Sequence, residues 1–345
     1  MKYNLLGKSG LRVSELCLGT MTFGEEWGWG ASREESRRIF DAYVEAGGNF
    51  IDTANRYTNG TSERLVGEFI ENEREKFVLA TKYSLNMKAG DPNAGGNHRK
   101  NMRQSVEASL RRLKTDYIDL YWVHAADGLT PIEEIMRGLD DLVREGKILY
   151  AGISDMQAWL VSRANTMAEL RGWSPFIGLQ IRYSLIDRDI EREYAPMAKA
   201  LDLGILAWGP LASGLLSGKF NEGKSDSESR LVKNKSTAMQ KERNIAIALE
   251  KEKIAREIGK TPAQVALNWL VSRPGVVIPI LGARKAEQIK DNLGCLGFTL
   301  DAAHSKRLED VSKIEAGFPH DFLAGPRMDE IIHGGLLGSI KNHRA

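Results

Sequence analysis

Four side chains that can take part in proton transfer lie at or just after the ends of apolar segments in the first part of the chain. The segment NFIDTANRY, residues 49–57, contributes the carboxylate of Asp52 and the phenol of Tyr57. The segments that end in ATK and LYWVH contribute the ammonium of Lys82 and the imidazole of His124. Because the chain repeats such segments in alternation with helical patterns, we expect successive strand ends to bring the four groups together.

These four residue types suit acid catalysis on a polar substrate. A phenol has an unperturbed pKa of ~10 and is a poor acid at neutral pH, but a neighbouring ammonium favours the phenolate and lowers that pKa. Tyr57 is therefore a candidate general acid, and Lys82 is the group that would tune it. A buried lysine loses its proton unless a carboxylate holds the charge, which is the role expected for Asp52. His124 would donate to a substrate oxygen and orient it.

Each of these residues also has an ordinary structural interpretation. An aspartate at a strand end is often a helix cap, and a tyrosine or histidine after a strand is often part of a loop or of the core. These alternatives stay open for any one residue taken alone. All four at strand ends of one chain favour a catalytic site.

Short apolar segments alternate with amphipathic ones along the chain, which predicts strands separated by helices. The predicted strands cover residues 16–20, 49–52, 77–82, 118–124, 149–154, 177–181, 205–208 and 276–281. The predicted helices include residues 62–70, 101–113, 131–144, 159–170 and 190–201, after a first helix that begins at Ser32 with a capping box to Glu35. Eight strands in this pattern imply an α/β protein with a closed (β/α)8 TIM barrel.

We expect the whole chain, residues 1–345, to form a single domain, because no change in composition marks a boundary. Alternating residues around two early glycines predict an N-terminal hairpin over residues 2–15. The barrel would then occupy residues 16–315, followed by a C-terminal segment, residues 316–345.

The composition is that of an ordinary water-soluble protein. A formal charge of +2 and 27% charged residues give no basic excess for nucleic acid. No apolar segment reaches the ~20 residues of a membrane helix, and the N-terminus lacks the apolar core of a signal peptide. Cys17 and Cys295 lie far apart in apolar surroundings. We therefore expect no membrane partner and a reduced, cytoplasmic location.

The chain resembles the aldo-keto reductases, whose Asp, Tyr, Lys and His tetrad corresponds here to Asp52, Tyr57, Lys82 and His124. The resemblance extends to ELCLGTMTFG, AGISD, LQIRYSL, AWGPLASGLLSGK and LGARKAEQIKDN, in the same order and spacing, and covers roughly residues 2–315. It implies NADPH-dependent reduction of an aldehyde or ketone. Hydride would pass from the nicotinamide to the carbonyl carbon while Tyr57 protonates the oxygen.

The later segments suit a dinucleotide that lies across the barrel mouth. The chain has no GxGxxG motif, and GLLSGKF has phenylalanine where a magnesium-binding P-loop needs serine or threonine. The indole of Trp208 offers a flat face to a nicotinamide ring. Residues 209–214 offer unhindered backbone N–H groups to a pyrophosphate, with Ser213 and Lys219 as side-chain donors.

The resemblance implies a fuller set of contacts to NADP(H). Ser154, Asp155 and Gln180 match the residues that hold the nicotinamide carboxamide, although many relatives have asparagine at the position of Asp155. A carboxylate accepts from the carboxamide NH2 but does not donate to its oxygen, and Asp155 is also a candidate helix cap. The full set is Gly19, Thr20, Met21, Asp52, Ser154, Asp155, Gln180, Trp208, Gly209, Pro210, Leu211, Ser213, Gly218, Lys219, Gly282, Arg284, Gln288 and Asn292.

The segment G-A-R-K after the eighth predicted strand opens a further predicted helix. Its N-terminus, with Arg284 and Lys285 beside it, is a candidate anion site. By resemblance this is the site of the adenosine 2′-phosphate and adenine, with Gln288 and Asn292 on one helical face. NADPH is therefore expected rather than NADH, and a solvated basic turn is the alternative.

The substrate pocket is expected to contain Trp27 and Trp29 beside Tyr57 and His124, since exposed loop tryptophans are costly unless they line a pocket. Packing of both indoles onto the barrel is the alternative. Further walls are expected from the loop at residues 87–97 and from the C-terminal segment. The polar stretch 218–238 is interpreted as a lid over the cofactor or as a plain solvated loop.

Two other functions are alternatives to a reductase. A cofactor-binding regulatory subunit like the potassium-channel β subunits would share the fold, but those proteins carry extra N-terminal sequence, whereas the hairpin here begins almost at the first residue. A hydrolase would need paired carboxylates or a metal cluster at strand ends, and the sequence indicates no metal site. The sequence identifies neither the carbonyl substrate nor the oligomeric state.

Overall fold

Eight parallel strands close into a barrel in the computed structural model, which describes residues 1–218 and 242–343. The chain forms two compact units, Met1–Ser312 and Lys313–Ala345, and the barrel belongs to the first. Its strands are β3 Cys17–Gly19, β4 Phe50–Asp52, β5 Val78–Tyr83, β6 Ile118–Val123, β7 Ile148–Ser154, β8 Phe176–Arg182, β9 Gly204–Trp208 and β10 Val277–Leu281. Pairing of β10 with β3 closes the barrel, so the predicted (β/α)8 fold is confirmed.

Helices separate the strands and pack around the barrel. In the described part of the first unit they are α1 Arg33–Glu45, α2 Thr61–Ile70, α3 Arg99–Leu113, α4 Ile132–Arg144, α5 Ala158–Arg171, α6 Tyr194–Ala200, α7 Glu242–Glu257, α8 Pro262–Val271, α9 Ala286–Leu293 and α10 Ala302–Ser312. None of the described helices is long and apolar enough to cross a membrane. The second unit contains α11 His320–Leu323 and α12 Met328–His333.

The N-terminal hairpin is present as predicted and lies against one end of the barrel. Its antiparallel strands are β1 Tyr3–Leu5 and β2 Arg12–Ser14. Leu6 and Val13 are fully buried and pack in one cluster with residues at the beginnings of the barrel strands, such as Phe50. This end of the barrel is therefore closed by side chains, and the carboxyl ends of the strands remain available for a site.

The barrel interior is filled around Trp122, which is fully buried. Two neighbouring strands have glycines where this indole needs space. A Cβ atom on Gly152 would lie 2.3 Å from the ring atom Cε3 of Trp122, and one on Gly178 would lie 2.9 Å from its Cη2. The absence of these side chains lets one large residue pack the centre at close to crystal density.

Two details of the predicted helices are wrong. The helix predicted over residues 190–201 is a short 3-10 turn, Asp189–Glu191, followed by α6 from Tyr194. The later start puts Pro196 in the first turn, where its missing N–H breaks no helical hydrogen bond. Ser32 does cap α1, but the carboxylate of Glu35 accepts from the N–H of Ala286 at 2.7 Å rather than completing a capping box.

A lysine occupies one position of the apolar stripe of α7. Lys251 lies between Ile247 and Ile254 on the buried face, and its side chain is fully buried. Its Nζ donates to the carbonyl oxygen of Leu216 at 2.6 Å. Burial outweighs the nearby Glu252 and lowers the pKa of Lys251 to about 7.

Replacement of Lys251 by methionine should remove a pH-dependent contribution to stability. Between the folded pKa of about 7 and the unfolded value of ~10.4, the unfolded chain binds more protons than the folded chain. The free energy of unfolding of the wild type should therefore rise with pH in this window relative to Lys251→Met, with a slope approaching ~1.4 kcal/mol per pH unit. Below pH ~7 both states carry the proton and the difference is constant.

Urea titrations from pH 6 to pH 9.5 measure this difference. Lys253→Met is the matched control, because Lys253 lies on the same helix with its side chain 63% exposed. Parallel stability curves for the wild type and Lys251→Met would show that Lys251 does not titrate in this window.

Candidate active site

A cavity of about 610 Å³ lies at the carboxyl ends of the barrel strands. Gly19, Asp52, Ser154, Trp208 and Leu281, each the last residue of its strand, contribute to its lining. The aromatic residues predicted to contact a substrate and the polar residues predicted to contact a dinucleotide therefore line the same cavity.

The ammonium of Lys82 lies beneath this cavity and is fully buried. Its Nζ donates to the carboxylate of Asp52, to the carbonyl oxygen of Thr53 at 2.9 Å and to the phenol oxygen of Tyr57 at 3.1 Å. Gln180 donates from Nε2 to the other carboxylate oxygen of Asp52 at 3.0 Å. The lysine thus has three oxygen acceptors, and one of them is the phenol that lines the cavity.

Charge in this buried pair is set by competing effects. Burial raises the pKa of Asp52, and the adjacent Lys82 opposes that rise. Burial would lower the pKa of Lys82, but Asp52 and then Tyr57 outweigh it and the net pKa lies above the ordinary value. We assign the charged pair, since the ammonium has three acceptors and the carboxylate accepts from both Lys82 and Gln180.

His124 follows β6 and lines the cavity beside Tyr57. The two rings meet edge to face with centroids 5.9 Å apart. Burial, and to a smaller extent the charge of Lys82, lowers the pKa of His124 to about 3. The ring is therefore a neutral imidazole at physiological pH, able to donate one N–H, and its buried Nδ1 has no hydrogen-bond partner among the described residues.

Two tryptophans form a wall next to the phenol. Trp27 and Trp29 both line the cavity, with centroids 5.5 Å apart, and Trp27 meets the ring of Tyr57 edge to face at 6.4 Å. Leu85 and Arg56 complete this end of the cavity and were not predicted. Because Arg56 immediately precedes Tyr57 in the segment NFIDTANRY, the sequence could have predicted that Arg56 lines the cavity.

The loop at residues 87–97, predicted as a pocket wall, contributes none of the cavity-lining residues among those described. The loop closes on itself, because Met87 donates its N–H to the carbonyl of Ala94 at 3.0 Å and Gly96 donates to Ser84 at 2.7 Å. The prediction that this loop forms a pocket wall is wrong. Leu85, which precedes the loop, lines the cavity instead.

The residues expected at a nicotinamide carboxamide lie together. Ser154 and Gln180 are buried and line the cavity, and Asp155 lines it with a left-handed backbone, φ 43°. The indole N–H of Trp208 donates to the carboxylate of Asp155 at 3.2 Å. The carboxylate therefore already accepts one protein donor at this position.

The loop after β9 contributes the next part of the lining. Gly209, Pro210, Leu211 and Ser213, all predicted to bind the cofactor, line the cavity. Its backbone is left-handed at consecutive residues, with φ 57° at Ser213 and 105° at Gly214, and the N–H of Gly214 donates to the carbonyl of Leu211 at 2.8 Å. Gly218 does not line the cavity. The rest of the predicted lid, residues 219–238 including Lys219, lies outside the described residues.

The far end of the cavity is lined by Gly282, Arg284, Gln288 and Asn292, which were predicted to bind the cofactor, whereas Lys285 does not line it. Helix α9 begins at Ala286, later than the segment G-A-R-K suggested. Because Glu35 already accepts from the N–H of Ala286, part of this helix N-terminus is occupied by a carboxylate of the protein itself.

Two residues near the start of the barrel differ in their roles. Met21 lines the cavity, but Thr20 is fully buried outside it. The hydroxyl of Thr20 donates to the carbonyl of Asp52 at 3.1 Å and lies 2.8 Å from the hydroxyl of Ser62. Residues of the lining that were not predicted, besides Arg56 and Leu85, are Thr22, Ser217, Ala263, Ile280, Leu281, Ala283 and Asp291.

Comparison with known proteins agrees with this geometry. Residues 15–313 match the family model described as the aldo/keto reductase family. The chain belongs to this family and is an oxidoreductase of the aldo-keto reductase type.

Relatives with similar sequences include named enzymes of fungi. The chain is 37% identical over 329 residues to norsolorinic acid reductase of Aspergillus flavus, which covers 92% of this chain and 83% of the relative. It is 38% identical over 343 residues to aryl-alcohol dehydrogenase [NADP(+)] of Phanerodontia chrysosporium, covering 94% of this chain and 89% of the relative. A bacterial relative, the uncharacterized oxidoreductase YrpG of Bacillus subtilis, is 38% identical over 324 residues, with 90% and 96% covered.

The imidazole of His124 should stay neutral between pH 8 and pH 5, because its pKa is about 3. The folded state holds this proton more weakly than the unfolded chain, so its contribution to stability falls as pH drops from ~6.5 toward the folded pKa. In a 13C-labelled protein, the ring Cε1 signal that disappears in His124→Gln should not shift over the pH 8 to 5 range. A midpoint near pH ~6.5 for that signal would contradict the assigned neutral state.

Proposed function

We propose that this protein reduces an aldehyde or ketone to the alcohol with NADPH, and that Tyr57 protonates the carbonyl oxygen. The observation that carries the proposal is the hydrogen bond from the buried ammonium of Lys82 to the phenol oxygen of Tyr57, at 3.1 Å. The oxygen accepts from the ammonium, so its own proton can be given to a substrate. The phenolate left behind is stabilised by the adjacent positive charge.

His124 would position the substrate oxygen for this transfer. Its ring is neutral and lies edge to face with the ring of Tyr57. A neutral imidazole donates a hydrogen bond to a carbonyl oxygen without adding a charge that would compete with Lys82. The two residues together would hold the oxygen while negative charge develops on it.

The lining of the cavity is suitable for a dinucleotide. When bound, its nicotinamide supplies the hydride that the carbonyl carbon accepts. Ser154 and Gln180 would hold the carboxamide, Trp208 would lie against the ring, and Gly209, Ser213 and the loop they belong to would approach the pyrophosphate. The lining position of Gly209 and Ser213 supports this role, because glycine and other small residues allow a ligand to approach the backbone closely.

The preference for NADPH rests on Arg284 at the far end of the cavity. A guanidinium pairs with a 2′-phosphate, a group that NADH lacks. The relative from Phanerodontia chrysosporium carries NADP(+) in its name. Gln288 and Asn292 would contact the adenosine from the same helix.

An aromatic carbonyl compound is the substrate class that suits the end of the cavity beside Tyr57. Trp27, Trp29 and Leu85 offer flat and apolar surfaces next to Tyr57. Relatives are named for an aryl alcohol and for norsolorinic acid. Stacking of a substrate ring on these indoles would hold its carbonyl group toward the phenol.

Replacement of Tyr57 by phenylalanine should nearly abolish reduction and change NADPH binding little. A general acid contributes ~10²- to 10⁴-fold, and phenylalanine keeps the ring that packs against Trp27. Steady-state reduction of benzaldehyde and fluorescence titration with NADPH measure the two effects. Tyr117→Phe is the control, since that ring lies under Arg74 outside the cavity lining; wild-type kcat in Tyr57→Phe would exclude Tyr57 as the acid.

Replacement of Arg284 by alanine should weaken NADPH binding by about one to two decades and leave NADH binding nearly unchanged, because a hydrogen bond to a charged group contributes roughly 1.5–3 kcal/mol. The residual preference should shrink with added salt. Fluorescence titrations with both coenzymes test this, with Lys285→Ala as the matched control, since Lys285 is exposed and outside the lining. Equal losses for both coenzymes would assign Arg284 to the shared part of the dinucleotide or to folding.

A further inference from the structure

Arg56 introduces a positive charge into the aromatic end of the cavity. It precedes Tyr57 at the start of a 3-10 turn, Tyr57–Gly60, and both residues line the cavity. The side chain is partly buried, and its Nη1 donates to the amide oxygen of Asn59 at 2.6 Å. The guanidinium is therefore held at the site by a neutral partner.

This charge has no ion-pair partner in the part of the chain that the structure describes. Among the described residues, no Asp or Glu oxygen lies within 4.0 Å of the Arg56 guanidinium. Arg33 and Arg74 do pair with carboxylates, Glu68 and Asp119. Arg64 donates to the hydroxyl of Thr61, but it is exposed and does not line the cavity.

The other ionisable groups at this end do not balance Arg56 either. The ammonium of Lys82 is matched by Asp52, and the imidazole of His124 is neutral. Trp27, Trp29 and Leu85 carry no charge. Glu25 and Glu26, which precede Trp27, are outside the lining, and the carboxylate of Glu26 accepts from the hydroxyl of Thr61. Among the described residues that line this end, Arg56 is the charged group without an ion-pair partner, and its surroundings are largely apolar, where an anion interacts more strongly than in water.

We propose that Arg56 binds a carboxylate of the substrate, so that the preferred substrates are aromatic aldehydes or ketones that carry an acid group. This inference rests on the proposed carbonyl reduction. A planar guanidinium pairs with a carboxylate through two parallel hydrogen bonds. Since Arg56 and Tyr57 are consecutive, the carboxylate would fix the substrate ring against the indole wall with its carbonyl group toward the phenol.

Two substrates of matched shape separate charge recognition from ring binding. 4-Carboxybenzaldehyde is an anion at pH 7, and methyl 4-formylbenzoate is its neutral ester; 3-carboxybenzaldehyde and its ester test the spacing between the two groups. The quantity measured is the ratio of kcat/KM for acid over ester with NADPH. The wild type should favour the acid, and Arg56→Met should lower the ratio by about 10- to 100-fold, mainly through KM for the acid.

Three further variants sharpen the test. Arg56→Lys keeps the charge but loses the planar fork, so its ratio should lie between those of wild type and Arg56→Met. Asn59→Asp places a carboxylate on the existing partner of Arg56, and it should lower the acid preference without altering the arginine. Arg64→Met is the matched control, because Arg64 is exposed and does not line the cavity; its ratio should equal that of the wild type.

The outcomes distinguish this inference from the proposed function. If the wild type reduces the ester but shows the same acid-to-ester ratio as Arg56→Met, carbonyl reduction stands and the carboxylate site is excluded. If the wild type reduces none of these aldehydes with NADPH, the proposed function itself is overturned, and the carboxylate site with it. A fall in the ratio in both Arg56→Met and Asn59→Asp, with Arg64→Met unchanged, supports the inference.

Discussion

The buried ammonium of Lys82 is the interaction on which the site depends. Removing an ion from water costs several kcal/mol, so a buried group stays charged only when an opposite charge and hydrogen-bond acceptors surround it. Asp52, Thr53 and Tyr57 supply those acceptors. They all come from β4 and the turn after it, so the pairing of β4 with β5 has to keep one register. Because one of these three contacts is to the phenol oxygen, the charge that constrains the fold also prepares Tyr57 for proton transfer.

The rest of the barrel allows this arrangement by closing its other end. The hairpin residues Leu6 and Val13 pack below the strands, and Trp122 fills the centre against the space left at Gly152 and Gly178. Water is thereby kept from the lower side of Lys82, which strengthens its interaction with Asp52. The cavity above it lies at the carboxyl ends of the strands, where the loops carry residues of different chemistry.

The cavity lining changes character along its length. Polar groups and a left-handed loop lie at the end where a dinucleotide would bind, and two indoles lie beside Tyr57. The neutral state of His124 avoids a second positive charge next to Lys82. In the described lining beside the indoles, Arg56 is then the group whose charge has no ion-pair partner. This division of charge gives a physical basis for discrimination among carbonyl compounds of similar shape.

The sequence alone determined the barrel and the strand-end residues Asp52, Lys82 and His124. Short apolar segments and the polar residues at or just after their ends are local features, and parallel strands bring such ends together whatever the loops do. Only the tertiary structure decided which loop residues face the cavity. Leu85 rather than the loop 87–97 lines it, and Glu35 reaches the N–H of Ala286 across the closure of the barrel. Such contacts join residues distant in sequence, and side-chain direction in a turn depends on hydrogen bonds that no local pattern specifies.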